Sequence, residues 1–119
     1  MSIILLDPYP RTMDLLFSKE NLNYLKKNFK LITAPNKNKN KFYEKNLPNA
    51  DYIFGQPNLP SSLISKSTKL KAIFNVESNF MDNMDYDYCF RKGIHVLATS
   101  PVFAQPVAEM AMGLTLSIA

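Results

Sequence analysis

The chain has 119 residues, 46% of them apolar and 20% charged, with a formal net charge of +4. That length supports one domain with its own core and not two. No stretch approaches the run of about 20 apolar residues that spans a bilayer, and Met1-Ser2-Ile3-Ile4-Leu5-Leu6-Asp7 lacks the basic start and long apolar centre of a secretory signal.

In chain order, Ser2-Ile3-Ile4-Leu5-Leu6 reads as a buried strand stopped by Asp7-Pro8. Ser18 then offers an N-cap, followed by Leu22, Leu25 and Phe29 at helical spacing. Leu31-Ile32-Thr33 is a second short strand before Pro35. Lys37, Lys39 and Lys41 alternate with Asn36, Asn38 and Asn40, and without those three lysines 11 basic residues face 10 acidic ones. A nucleic-acid patch would need interleaved aromatics, which this run lacks. It is expected to be a solvated loop, with no nucleic-acid partner. Phe42–Leu47 is a weak helix, ended before Pro48, and Asp51–Gly55 is a third strand. Pro60-Ser61-Ser62-Leu63-Ile64 opens a helical turn with serine caps, and Leu70–Asn75 is a fourth strand. Asp85–Lys92 is a helix, with Gly93 just past its end where a positive φ is wanted, and Ile94-His95-Val96-Leu97 is a fifth strand. Pro106 is expected in the first turn of a last helix beginning near Gln105, where its missing N–H does no harm.

Short apolar strands alternating with helices are the α/β signature, a parallel sheet with helices on both faces joined by right-handed crossovers. The last segment, Val107–Ala119, is apolar on nearly every face. Such a helix is normally buried all round. It has neither a C-cap glycine nor basic residues in its last turn, which reads as a helix whose continuation lies outside this sequence.

The chemistry-bearing residues are few. Gly55, Gly93 and Gly113 are too far apart to build a phosphate-cradling loop. Cys89 is the single cysteine and His95 the single histidine, which excludes an intramolecular disulfide and leaves no zinc site; no metal is expected. Cys89, on an amphipathic helix, reads as a buried inert thiol, and His95, with no carboxylate near it in sequence, as a structural or surface histidine. Asp82, Asp85 and Asp87 fit the acidic opening of a helix. A phosphoacceptor receiver domain shares this layout, but strand one ends in Asp7 alone and strand three in Gly55-Gln56-Pro57, without the acceptor aspartate. In open parallel sheets ligands lie beyond the carboxyl ends of the strands. The segment Asn75-Val76-Glu77-Ser78-Asn79-Phe80 after strand four therefore stands as a possible anion site through its polar side chains and backbone N–H groups, beside its reading as an ordinary connection.

Around this loop the sequence becomes recognisable. Leu70-Lys71-Ala72-Ile73, Asp82-Asn83-Met84-Asp85, Arg91-Lys92-Gly93-Ile94-His95-Val96, Pro101 and Val107-Ala108-Glu109-Met110-Ala111, in that order and spacing, resemble the D-isomer-specific 2-hydroxyacid dehydrogenases. Residues 1–69 match that family only in pattern, through the strand–helix alternation and Ala50-Asp51-Tyr52-Ile53.

The resemblance implies a flavodoxin-like sheet in the order 2-1-3-4-5, belonging to the substrate domain of a two-domain enzyme. Residues 1–103 would be the first part of that domain. Residues 104–119 would begin a helix crossing to a dinucleotide-binding domain and packing in a homodimer. The cofactor would be NAD or NADP, bound in the parent rather than tightly by this chain. The substrate would be a small 2-hydroxy or 2-oxo acid, with hydride passing between it and the nicotinamide. The family's catalytic Arg, Glu and His, and its Gly-rich motif, would lie beyond residue 119. Two roles carry over: Val76, Glu77, Ser78 and Asn79 would offer backbone N–H groups to the substrate carboxylate, and Val107 would lie near the nicotinamide. The family usually has glycines in this loop, whereas here Val76-Glu77-Ser78-Asn79-Phe80 stands with one extra residue. Glu77 also places a negative charge where a carboxylate is to bind, so either it points away or the substrate differs. The expected protein is cytoplasmic, without a membrane partner. The alternative is a free-standing flavodoxin-like binding or regulatory domain without catalysis.

Overall fold

The computed structural model describes residues 1–77, 79–98 and 100–118. Five parallel strands form one sheet: β1 (Ile3–Asp7), β2 (Lys30–Thr33), β3 (Tyr52–Gly55), β4 (Ala72–Phe74) and β5 (His95–Leu97), in the order β2-β1-β3-β4-β5. Between and after them come α1 (Met13–Leu16), α2 (Lys19–Asn28), α3 (Lys39–Asn46), α4 (Ser61–Ile64), α5 (Tyr86–Arg91) and α6 (Ser100–Ile118).

Register explains the core. Leu5 lies opposite both Ile32 and Ile53, Ile53 opposite Ile73, and Ile73 opposite Val96, so one row of branched side chains crosses the whole sheet. Because side chains alternate across a strand, this row shares one face. Tyr43, Leu47, Leu63, Ile64 and Cys89, from α3 to α5 and the short turn after α3, join the row in one buried cluster. The opposite face is aromatic: Phe54 stacks on Phe74 at 4.7 Å, and Phe17 meets Phe54 edge-on at 5.5 Å. Leu25 and Phe29 border it at the β1–β2 end of the sheet, whereas at β5 it opens, leaving His95 and Leu97 exposed. Of the two readings of His95, structural or surface, its exposure fits the second. Cys89 is fully buried, and burial pushes its thiol pKa up.

Local signals in the sequence do the expected work at α2 and α5. Ser18 Oγ accepts from Asn21 N–H at 3.2 Å, and Asp85 accepts from Tyr88 N–H at 3.0 Å. After α5, Gly93 takes φ +73°, Gly93 N–H reaches Phe90 O at 3.2 Å, and Ile94 N–H reaches Cys89 O at 2.8 Å. This is the paired C-terminal bonding that a glycine at that position makes possible.

Three expectations are corrected, and one element is added to them. The added element is the one-turn α1, which carries no capping side chain. Helix α3 starts at Lys39, not Phe42, after Asn38 in the left-handed region at φ +59°, so Lys39 and Lys41 are helical rather than part of a loop. Helix α4 is capped by Pro60 with no serine side-chain bond. Helix α6 begins at Ser100, which puts Pro106 inside it. Its ring nitrogen cannot donate to the carbonyl four residues back, so the helix tolerates a missing bond there instead of starting at it.

Among the described residues no helix is long and apolar enough to cross a membrane, and no cluster of His, Cys, Asp and Glu could hold a metal.

Candidate functional site at the carboxyl edge of the sheet

The carboxyl ends of β1, β3 and β4 lie along one edge, and each ends in or leads directly to a residue with unusual demands. On β1 it is Asp7, only 3% exposed. Lys39 Nζ donates to its Oδ1 at 2.8 Å, and the Tyr43 hydroxyl donates to its Oδ2 at 2.7 Å. An isolated buried carboxylate is strongly disfavoured, so these two donors make the position tenable. Burial, reinforced by the charge of Asp7, pushes the Tyr43 pKa far above the ordinary tyrosine range, and the hydroxyl remains a donor.

On β3 the terminal residue is Gly55, paired in register with Asp7. Its φ is +151°, and a Cβ there would sit 2.4 Å from the Asp7 carbonyl oxygen. Only glycine lets the two strand ends close to this distance. Gln56 follows and clasps the loop after β4 from both sides: its Nε2 donates to Asn79 O, and its Oε1 accepts from Glu77 N–H, each at 2.9 Å. Further along, Asn83 Nδ2 donates to Pro57 O at 2.8 Å, Leu59 N–H donates to Asn83 O at 2.7 Å, and the Tyr86 hydroxyl donates to the Met81 carbonyl. The loops after β3 and β4 are therefore one stitched unit.

On β4 the chain leaves through Asn75, 4% exposed, whose side-chain nitrogen and oxygen have no partner among the described residues. Val76 and Glu77 follow, half-buried, and Asn79 is exposed. Ser78, expected at this site, lies outside the described residues. The carboxylate of Glu77 is turned towards the loop after β1, where it takes Arg11 Nε at 3.2 Å and Nη2 at 3.3 Å. This contact raises the Arg11 pKa further above its usual value. Glu77 thus does not stand as an unpaired charge in the loop.

The structure brings Val76, Glu77 and Asn79 together in one loop. Val107 sits on α6, 64% exposed, and no described hydrogen bond joins it to that loop. Sequence reasoning missed Arg11, Lys39 and Gln56. The rule that ligands gather beyond strand ends could have pointed to Gln56, the first residue after β3. Arg11 and Glu77 are 66 positions apart, and no local pattern links them.

Chemically, the edge offers backbone N–H groups from a braced loop, a buried carboxamide and paired charges of both signs. That suits holding a small anion, and it includes no described nucleophile–base pair.

Comparison with known proteins agrees with this layout. The whole chain superposes on a phosphoglycerate oxidoreductase from Rhizobium etli with a TM-score of 0.81 and 38% identity, covering 37% of that protein. It covers 33% of a D-lactate dehydrogenase from Aquifex aeolicus, solved with NAD and lactic acid, with 96% of this chain aligned at a TM-score of 0.58 and 29% identity. The PH0520 protein from Pyrococcus horikoshii OT3, at 19% identity over 95% of this chain and 32% of its own, shares the fold at a TM-score of 0.71. The chain thus spans about a third of the length of these structures. No protein of curated function matches it. Residues 10–117 match the catalytic domain of the D-isomer specific 2-hydroxyacid dehydrogenases, and with nearly its whole length inside that match the chain belongs to this family.

Proposed function

We propose that this chain is the substrate-gripping part of an NAD- or NADP-dependent dehydrogenase that exchanges a hydride with a small 2-hydroxy or 2-oxo acid. The observation that carries the reading is the loop Asn75–Met84, stitched to Gln56 and Pro57 beyond the carboxyl ends of the strands, in a chain of this family. The Aquifex aeolicus relative, solved with NAD and lactic acid, supports the cofactor and substrate class.

In this reading the N–H groups of Val76, Ser78 and Asn79 hold the substrate carboxylate. Glu77 N–H already serves Gln56 Oε1, so it shapes the loop rather than binding the acid. The contribution is orientation: fixing the carboxylate fixes where C2 lies, and so supplies proximity rather than proton transfer. The described residues do not fit a dinucleotide pyrophosphate. Gly55 serves the β1–β3 approach and Gly93 ends α5, and neither belongs to a phosphate cradle. Cofactor binding, the acid/base group and an arginine for the carboxylate are accordingly assigned to the remainder of a longer cytoplasmic protein. Residues 1–103 belong to its substrate domain, and residues 104–119 lead towards the cofactor domain with Val107 near the nicotinamide.

The test is a comparison of Asn79→Pro with Asn79→Ala in that longer protein, assayed with a panel of 2-hydroxy acids and both nicotinamide cofactors. Proline removes the N–H and alanine keeps it. A hydrogen bond to a charged group is worth about 1.5–3 kcal/mol, so the proline variant should lose roughly tenfold to a hundredfold more kcat/KM than the alanine variant. Equal losses in two folded variants would remove the backbone cradle.

The same reading extends to assembly. On α6, Val107, Met110, Met112, Leu114, Leu116 and Ile118 are 59–87% exposed. Burial of each such side chain is worth roughly 1.5–3 kcal/mol, and a second copy is the simplest cover. Sedimentation equilibrium should show a dimer. A monomer persisting at high concentration with α6 ordered would contradict it.

A further inference from the structure

We propose that Gln56 is a positioning residue: its carboxamide sets the loop after β4 in the conformation that grips the substrate carboxylate. This rests on the substrate-gripping role proposed above and names the side chain that organises it.

Three observations converge. The first is where the ladder stops. Tyr52, Ile53 and Phe54 pair with Ala72, Ile73 and Phe74, so the same offset along the chain sets Pro57 against Glu77. Proline has no N–H, and a ladder of backbone bonds cannot run on through it. The Gln56 side chain supplies a substitute rung: Oε1 accepts from Glu77 N–H and Nε2 donates to Asn79 O, each at 2.9 Å. The second is that both bonds depend on one planar group. Turned over, the carboxamide would set Nε2 against a donor and Oε1 against an acceptor, so only one orientation makes the two bonds. In that orientation it fixes the separation of Glu77 N from Asn79 O. The N–H groups of residues 78 and 79, both assigned to the acid above, lie on the chain between those two atoms. The third is composition. From Asn75 to Met84 there is no glycine, so no residue of the loop has the backbone freedom to turn its N–H groups at little cost. At Glu77 and Asn79 the described hydrogen bonds run to Gln56 and Arg11 and not within the loop. Arg11 holds only the Glu77 side chain, whereas Gln56 holds the backbone. The shape that glycines would allow is here imposed from the neighbouring strand end.

The experiment uses the longer protein that contains this chain. It measures kcat and KM separately, for the most active acid of the panel above and for its nicotinamide cofactor. Gln56→Met keeps the length of the side chain and removes both bonds. Without the clasp the loop visits other conformations, and the apparent affinity for the acid falls in proportion to the fraction still competent. KM for the acid should therefore rise roughly fivefold to fiftyfold, the range for two neutral hydrogen bonds partly in water. The kcat and the cofactor's KM should move by less than about twofold, since an acid once bound selects the competent loop. Gln56→Ala, which also removes both bonds, should repeat the result. Hydrogen exchange without substrate should quicken in both variants over residues 75–81. The comparison is Ile94→Val, which thins the buried core at the amino end of β5, opposite this edge. It should lower stability and leave the acid's KM unmoved. A merely structural role would make the Gln56 variants behave like Ile94→Val, with less folded enzyme and an unchanged KM; that result overturns the inference. So does a raised KM with loop exchange unaltered, which would make Gln56 a direct contact of the acid. In a parent that turns over 2-hydroxy acids either result sinks only this inference, whereas turnover of none of the panel sinks the dehydrogenase reading with it.

Discussion

Replacing Gly55 by alanine should destabilise the domain by about 3 kcal/mol or more, and valine should prevent folding. Two penalties add. The backbone at residue 55 has φ +151°, a region side chains rarely enter, and forcing one there is worth about 1–3 kcal/mol. The new Cβ would also lie 2.4 Å from the Asp7 carbonyl oxygen and 2.9 Å from Asp7 Cβ. Neither is the free end of a flexible side chain, so β1 and β3 would have to part at their carboxyl ends, an overpacking penalty of about 1–3 kcal/mol. Urea unfolding followed by circular dichroism measures the sum as a drop in midpoint at unchanged slope. A loss under about 1 kcal/mol would mean that the strand ends relax freely, and the description of this edge as tightly closed would be wrong.

The second large effect is expected at Asp7. Lys39→Met should destabilise by about 2–4 kcal/mol, somewhat below the range for breaking a fully buried pair because Lys39 is still 29% exposed. Tyr43→Phe removes the other donor and should lose about 1.5–3 kcal/mol. Each variant leaves the 3%-exposed carboxylate with one donor, and the double variant leaves it with neither. The effects should therefore exceed additivity, since residues sharing one partner are coupled. The triple variant that also carries Asp7→Leu should regain stability relative to the double, because no charge then remains to be satisfied. If Lys39→Met alone is neutral, the ion pair is a surface contact and not a support for the site.

Much of the frame was readable from residue order. Each strand was a short apolar run bounded by proline, glycine or asparagine, and Leu5, Ile53, Ile73 and Val96 fell into one buried row because strand side chains alternate. Ser18, Asp85 and Gly93 announced helix ends through bonds spanning three to five residues, which a linear reading can see. The position of the loop after β4 was readable too, since topology alone puts it at a binding edge. What escaped was whatever depends on distant partners. Nothing around Lys39 distinguishes it from Lys37 or Lys41 until β1 brings Asp7 to it. Glu77 looked like an obstacle to an anion because Arg11 was invisible as its partner, and the two hydrogen bonds between Gln56 and the loop needed the β3–β4 register first. Pro106 misled for a different reason: proline is most welcome at a helix start, but the helix begins at Ser100, where Pro101 already occupies the first turn.

The strand order has a consequence for how the sheet is assembled as the chain emerges during synthesis. Once β2 has paired with β1, every later strand joins on the other side, in the order in which it is made: β3 on β1, β4 on β3, β5 on β4. No arriving strand has to insert between two already paired, and no earlier pairing has to be undone. Among the described strands this edge simply advances outward from β1 to β5, only three residues long, a short row of backbone for a stray strand to join.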